Sequence, residues 1–428
     1  MLRAAEPVVA CDRHEIEPGR PFPLELVPAD RDPLSPRQVT RWIGIFLFVG
    51  IAARVTRYLL RFPLWEDECF LAANLLDHGY ADLMGGLSYN QACPLGFLWI
   101  QSTIVRVLGF NELSLRLFSV VCGVASLFLF RRLAGCFLKG TPLVAAVGVF
   151  AVAYPGIRYS VEAKQYGADL FFSLVLTNLA VAWWRRPEQR RRLWMLACLI
   201  PVCVPVSYPA VFIGGGISLF AVWLLWTRRD RGAWLPWAAF NAAMLGSFRV
   251  LYALSAANQS SETLRFMQDY WRDGFPPLGH ALEFGKWLVV THTGDLLAYP
   301  FGGRRGGSIL TAICCLVGLI VLVRRRQYPL LLLWLAPLGL SFVAAAVHGY
   351  PYGQAVKFQI YMAPVFCMLA GAGATLILFG RRKREPSPAS GSVLHSESAP
   401  RRSIPAMVLL SAVALVGVVG MARDFWFP

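Results

Sequence analysis

The sequence predicts an all-α polytopic membrane protein, on three observations. The 428-residue chain is 56% hydrophobic, with a mean hydropathy of +0.51. Only 15% of its residues are charged, against about 25% in soluble domains. Its apolar residues fall in runs long enough to cross a bilayer, separated by short basic clusters. The net charge of +16 raises the question of a nucleic-acid partner, but the basic clusters lack the aromatic interleaving of a single-strand binder, so none is expected.

Residues 1–41 are polar, Pro-rich from Pro7 to Pro36, and without the apolar core of a signal peptide. They read as a disordered cytoplasmic tail, and the first span then doubles as the targeting signal. Spans are expected at about 42–60, 113–130, 142–158, 167–184, 193–207, 209–226, 233–254, 308–323, 328–347, 358–380 and 404–421. The clusters Arg37/Arg41, Arg131/Arg132/Lys139, Arg185 to Arg192, Arg228/Arg229/Arg231, Arg324 to Arg326 and Arg381 to Arg384 all belong on the cytoplasmic side by the positive-inside rule. About eleven crossings put them there, with the amino terminus inside and the carboxyl terminus outside.

The run Pro94 to Phe110 resembles a twelfth span, but a crossing there would flip every later basic cluster outward. Parity therefore lays it in the outer interface, which Gln101, Ser102, Thr103 and Arg106 also suit. The chain then divides into the tail 1–41, a module 42–255 carrying a long first outer loop 61–112, and an outer segment 256–307 with interfacial helices. The C-terminal helices 308–380, a flexible Pro/Ser/Gly-rich cytoplasmic linker 381–403 and a last helix 404–428 complete it. In the first outer loop two helices are expected flat on the membrane, Phe70 to His78 and one after Pro94.

Ten cysteines form no framework and show no metal spacing. Cys69 and Cys93 share the first outer loop, where they either pair in an oxidising compartment or stand as two packed thiols.

Three constellations carry chemistry. The first is Trp65-Glu66-Asp67-Glu68, where a span leaves the bilayer. Like charges clustered there are costly unless used, although an acidic helix start favoured by the macrodipole would look the same. The second is Tyr154 to Tyr166, in which Arg158, Glu162 and Lys164 sit between two apolar runs. They serve function or pair internally, as Arg158–Glu162 or Glu162–Lys164. The third is His348 to Pro364, whose lone cation Lys357 either meets an anion at a helix start or snorkels. Arg54 and Arg57 in the first span stand apart, because an arginine at the centre of a span costs about 2.5–3.5 kcal/mol on the insertion scale.

These stretches resemble the GT-C class of membrane glycosyltransferases, in particular the protein O-mannosyltransferase, aminoarabinose transferase and rhizobial lipopolysaccharide glycosyltransferase group. Pro63-Leu-Trp-Glu-Asp67-Glu68 is similar to the family's acidic pair after the first span. Gln91-Ala-Cys-Pro94-Leu, then Phe110-Asn-Glu112-Leu-Ser-Leu-Arg116-Leu, resemble its next run. Tyr159-Ser-Val-Glu162-Ala-Lys164-Gln-Tyr166 and Tyr350-Pro-Tyr-Gly to Pro364 resemble its second-loop and late-loop motifs. The likeness is strongest over 42–185 and weaker over 308–380. Cys93 departs from it, standing where many relatives have a second proline, and no soluble outer domain follows the last span.

The resemblance implies a GT-C fold and transfer of a sugar from a polyprenyl-phosphate donor to a lipid, glycan or protein acceptor, in the plasma (inner) membrane with the active site extracytoplasmic. It implies Asp67 as general base, its proton affinity raised by Glu66 and Glu68, with Glu68 orienting the acceptor or Asp67. Glu162 and Glu66 bind acceptor or a metal, and a divalent cation held by Glu162 and Asp67 is the one cofactor left open. Lys164, Lys357, Arg57 and Arg158 are the donor-phosphate cations. Two other classes compete: a transporter or flippase of lipid-linked sugars, which expects broken helices in inverted halves, and a noncatalytic scaffold, which leaves the acidic triplet unexplained.

Overall fold

A computed structural model describes residues 32–254, 261–303, 306–380 and 400–426. The tail over 1–31 and the linker over 381–399 lie outside the described residues. Helix α1 spans Pro36–Leu59, starting before the hydropathy edge at Trp42. Ser35 caps it in a box: Ser35 Oγ accepts the Gln38 N–H at 3.4 Å, Gln38 Oε1 accepts the Ser35 N–H at 2.8 Å, and Pro36 takes the first position. The remaining helices are α2 Glu66–Asp77, α3 Leu95–Leu108, α4 Glu112–Phe137, α5 Gly140–Val152, α6 Tyr154–Arg158, α7 Tyr166–Arg185 and α8 Arg191–Val206. They continue as α9 Ala210–Arg228, α10 Trp234–Leu254, α11 Ser261–Tyr270, α12 Ala281–Thr293, α13 Ile309–Arg324, α14 Tyr328–Ala346, α15 Ala363–Phe379 and α16 Pro400–Trp426. The described residues contain no β-strand.

Each expected span has a helix over it. By length and composition, α1, α4, α7, α9, α14 and the stretch Val356–Phe379 can cross a membrane, which makes the chain multi-pass. Two spans depart from expectation. The one expected at 142–158 ends at Val152, because Ala153 turns extended (ψ 119°) and Pro155 has no N–H to continue the ladder. The one expected at 358–380 opens as a 3-10 turn over Val356–Met362 before α15 begins.

Two of the basic turns meet at one end of the bundle. Arg190 pairs with Asp230 at 2.8 Å, joining the α7–α8 and α9–α10 turns. Asp32 accepts the Thr141 N–H at 2.9 Å, which ties the approach to α1 to the start of α5. Helix α3 lies across the opposite end. Its start abuts the last turn of α8, where a Cβ on Gly96 would come within 2.9 Å of the Pro205 carbonyl oxygen. Its other end runs through Gly109 into the Asn111 cap of α4, whose Oδ1 accepts the Leu113 and Ser114 N–H groups at 3.0 Å each. Both ends of α3 are therefore at one level, and its 14 residues reach only about 21 Å against about 30 Å of hydrocarbon.

Helices in lipid associate by close packing of small residues rather than by exclusion of water. Helix α15 shows this: its Gly371 faces Ala146 of α5 and its Gly373 faces Cys314 of α13, where a Cβ would lie 2.4 Å and 1.8 Å from backbone atoms. At the end opposite the basic turns a second apolar cluster, including Leu71, Leu75, Leu98, Leu115 and Ala163, seats α2 and α3 on α4 and on the loop before α7.

Candidate active site

The acidic triplet is the first turn of α2, with Trp65 at the N-cap, so the helix starts four residues before the expected Phe70. Anions there meet unpaired N–H groups and the positive end of the dipole. Successive residues on a helix point about 100° apart, and the three acids consequently meet three environments.

Glu68 turns inward and is 1% exposed. Its Oε1 accepts from Arg116 Nε at 2.9 Å and from the Ala163 N–H at 2.7 Å; its Oε2 accepts from Arg116 Nη2 at 2.6 Å and from the Trp65 N–H at 3.3 Å. Arg116 also donates to the Phe62 carbonyl at 2.7 Å. This bidentate pair ties α2, α4 and the 159–165 loop together. Glu66 points outward and is exposed.

Asp67 turns to the remaining side and stays partly open. Lys164 Nζ approaches its Oδ1 at 2.9 Å and Lys357 Nζ its Oδ2 at 3.3 Å. Lys164 also donates to Gln91 Oε1. The ammonium of Lys357 lies 5.4 Å from the Trp65 ring, 5.5 Å from Tyr166, 5.0 Å from Trp271 and 5.9 Å from Phe358, each a cation–π contact. Burial pushes the Asp67 carboxyl up, and the ammonium groups of Lys164 and then Lys357 more than offset it, so the group is held below the usual carboxylate range. This corrects the expectation that Glu66 and Glu68 raise its basicity: the Glu68 charge is taken by Arg116, and the near charges on Asp67 are cationic.

Glu162 is 3% exposed and accepts from Arg158 Nε at 3.0 Å, while Arg158 Nη1 donates to the Tyr154 hydroxyl at 3.2 Å. Of the two internal pairs the sequence allowed, Arg158–Glu162 forms, and Lys164 goes to Asp67 instead. The second oxygen of Glu162 is buried without a hydrogen-bond partner among the described residues. Burial pushes this carboxyl up and Arg158 offsets only part of the rise. Arg57, in the last turn of α1, stacks over Phe62 at 5.0 Å and lies in the field of Tyr154, Arg158 and Glu162. It belongs to this second cluster and not to the Asp67 bridge.

The donor set does not fit a divalent cation. Both Asp67 oxygens face ammonium groups, one Glu162 oxygen faces Arg158, and the described residues hold no group of three ligating side chains. Cys69 and Cys93 are free thiols, the first exposed and the second buried. Sequence reasoning passed over Gln91 and Arg116, which lie in quoted motifs, and Trp271, which closes the Lys357 cage from the 256–307 segment. That segment folds over the site through Thr263 to Asn90 at 3.0 Å and Gln354 to the Tyr270 carbonyl at 3.3 Å.

No family model and no curated protein sequence matches the chain. Solved structures do. ArnT from Cupriavidus metallidurans bound to undecaprenyl phosphate superposes with a TM-score of 0.53 at 13% identity, over 89% of this chain and 75% of that one. Its apo state gives 0.51 at 12% identity over the same shares. The Archaeoglobus fulgidus oligosaccharyltransferase gives 0.49 at 13% identity over 89% and 52%. The chain thus shares the fold of the two ArnT structures, as the motif resemblance implied.

Proposed function

We propose that this chain is a glycosyltransferase that moves one sugar from a polyprenyl-phosphate donor to an acceptor hydroxyl at the extracytoplasmic face of the inner membrane. One observation carries the reading. A single carboxylate is bridged by two ammonium groups at the end of the bundle opposite the basic turns, in a fold shared with a protein solved with undecaprenyl phosphate. A rival transport reading expects charges at mid-depth in paired broken helices, and the gathering of charge at one end favours transfer chemistry.

In the step proposed, the acceptor oxygen bonds to the anomeric carbon as the bond from that carbon to the phosphate oxygen breaks. The electron pair of that bond leaves with the lipid phosphate, and the hydroxyl proton passes to Asp67. Attack from the opposite face inverts the anomeric centre. Lys164 and Lys357 neutralise the departing phosphate.

At rest those two cations make Asp67 a weak base. Donor phosphate draws them away, and the carboxylate regains proton affinity when the substrate is in place. Glu68 holds α2 so that Asp67 faces the site, and the open oxygen of Glu162 receives an acceptor donor group, with Arg158 and Arg57 beside it. The carrier's tail lies in lipid between later spans and the flat helices of the first loop.

The test compares envelope glycans and glycoproteins by mass spectrometry from cells carrying the wild-type chain or Asp67→Asn, with membrane insertion checked. Loss of one glycoform with the variant supports the reading and names the acceptor. Unchanged glycans with a correctly inserted variant overturn it.

A further inference from the structure

Arg54 is fully buried in α1, and among the described residues it donates to carbonyl and hydroxyl oxygens rather than to a carboxylate. A lone buried charge is costly unless it performs something. Its Nη1 donates to the Gly50 carbonyl at 2.9 Å and to the Ala151 carbonyl at 3.0 Å, and its Nε donates to Ser160 Oγ at 3.4 Å. The Ala151 carbonyl lies in the last turn of α5, where an uninterrupted helix would supply the N–H of residue 155. That residue is Pro155, which has none. Arg54 provides the missing donor, at the negative end of the α5 dipole, which favours a cation.

The same guanidinium reaches Ser160, at the start of the loop that carries Glu162 and Lys164. That loop is pinned at successive points. Ser160 is wedged against α4, where a Cβ on Gly123 would come within 2.3 Å of it, and its hydroxyl donates to the Gly156 carbonyl. The Ala163 N–H goes to Glu68, and Ser119 Oγ donates to the Lys164 carbonyl at 2.9 Å. Among these anchors Arg54 alone joins the break in α5 to the loop. A Cβ on Gly156 would approach Arg54 Nη2 at 3.2 Å, so the α6 turn is packed tightly over the guanidinium.

We infer that Arg54 is a positioning residue: it holds the interrupted end of α5 and Ser160 together, and so sets where Glu162 and Lys164 stand relative to Asp67. It touches no reacting group, and the inference rests on the function proposed above only for its second readout.

The experiment uses the full chain in lipid nanodiscs, as wild type, Arg54→Lys and Arg54→Met. Two quantities are read: hydrogen exchange at the amides of 159–165 against those of mid-α7, and binding of undecaprenyl phosphate. Arg54→Met is expected to raise exchange in 159–165 about tenfold or more, leave mid-α7 protected, and weaken lipid-phosphate binding about tenfold. Arg54→Lys, which keeps one donor to Ala151, is expected to recover part of both. Uniform loss of protection across α4, α7 and the loop would make Arg54 a general stability residue and overturn the inference, as would an unchanged loop in Arg54→Met. If wild type binds no undecaprenyl phosphate, the proposed function fails, and the exchange pattern still decides the role of Arg54.

Discussion

Asp67 and Glu68 are neighbours in sequence and opposites in surroundings. Glu68 is closed, with four hydrogen bonds, a bidentate arginine and 1% exposure. Asp67 keeps 22% of its side chain exposed and meets two ammonium groups, one of them in an aromatic cage. A carboxylate whose lone pairs are filled by backbone N–H groups and a guanidinium fork serves as a fastening. One held only by two ammonium groups, and partly open, can exchange those partners for an anionic ligand. The angular step along a helix is enough to separate the two roles.

The largest effect should come from breaking the open member. Asp67→Asn is expected to lower sugar transfer by about 100- to 10,000-fold, the usual contribution of a general base, with a loss of stability much smaller than its loss of activity. Breaking the closed member should show the reverse emphasis. Glu68→Gln leaves Arg116 without its counter-ion, and about 3–5 kcal/mol of stability should be lost, read as a large drop in unfolding temperature in detergent. Equal behaviour of the two variants in both assays would erase the distinction.

A smaller effect is expected from the cations. Lys357→Met or Lys164→Gln should weaken undecaprenyl phosphate binding by about 1.5–3 kcal/mol, the range for hydrogen bonds to charged groups. Native mass spectrometry of the lipid complex would measure it.

The smallest and most diagnostic effect concerns pH, and it sets Asp67 against Glu162. Lys164 and Lys357 hold the Asp67 carboxyl low despite its burial, so its pairing should stabilise the fold above the ordinary carboxyl value, about 4, and lose that contribution as pH falls through the lowered folded value. Burial holds the Glu162 carboxyl high, so its ionisation opposes folding, and the opposition is relieved as pH falls. Asp67→Asn should then destabilise the protein near neutrality and become neutral in strong acid. Glu162→Gln should stabilise it near neutrality and lose that advantage in mild acid. Unfolding curves of the two variants across pH, crossing in these opposite senses, would confirm the contrast.

Much of this arrangement was legible in the sequence. The apolar runs located the helices, and the parity of the basic clusters set α3 apart from the long helices, because charge placement at membrane boundaries obeys a strong local rule. The break in α5 was written in Tyr154-Pro155-Gly156, though the span was extended through it. The partners within the site were less legible. Glu68 pairs with Arg116 because α2 sits on α4 in one rotational setting, and no periodicity within α2 supplies that angle. Lys357 could be read as a cation at a helix start. That its partner would be Asp67, rather than an incoming anion alone, required the 3-10 turn to bring the Lys357 side chain within reach of the first turn of α2. Trp271 lay in a segment of mixed polarity, where nothing marked one tryptophan over another.

The Asp67–Lys357 contact joins residues 290 positions apart. During synthesis, α2 and its carboxylate leave the translocon long before the segment bearing residue 357 is made. Until that segment arrives, Asp67 has at most one of its two counter-charges. A product truncated before residue 357 would insert its early helices without the second of these counter-charges, so the bridge closes only after that late segment has been made.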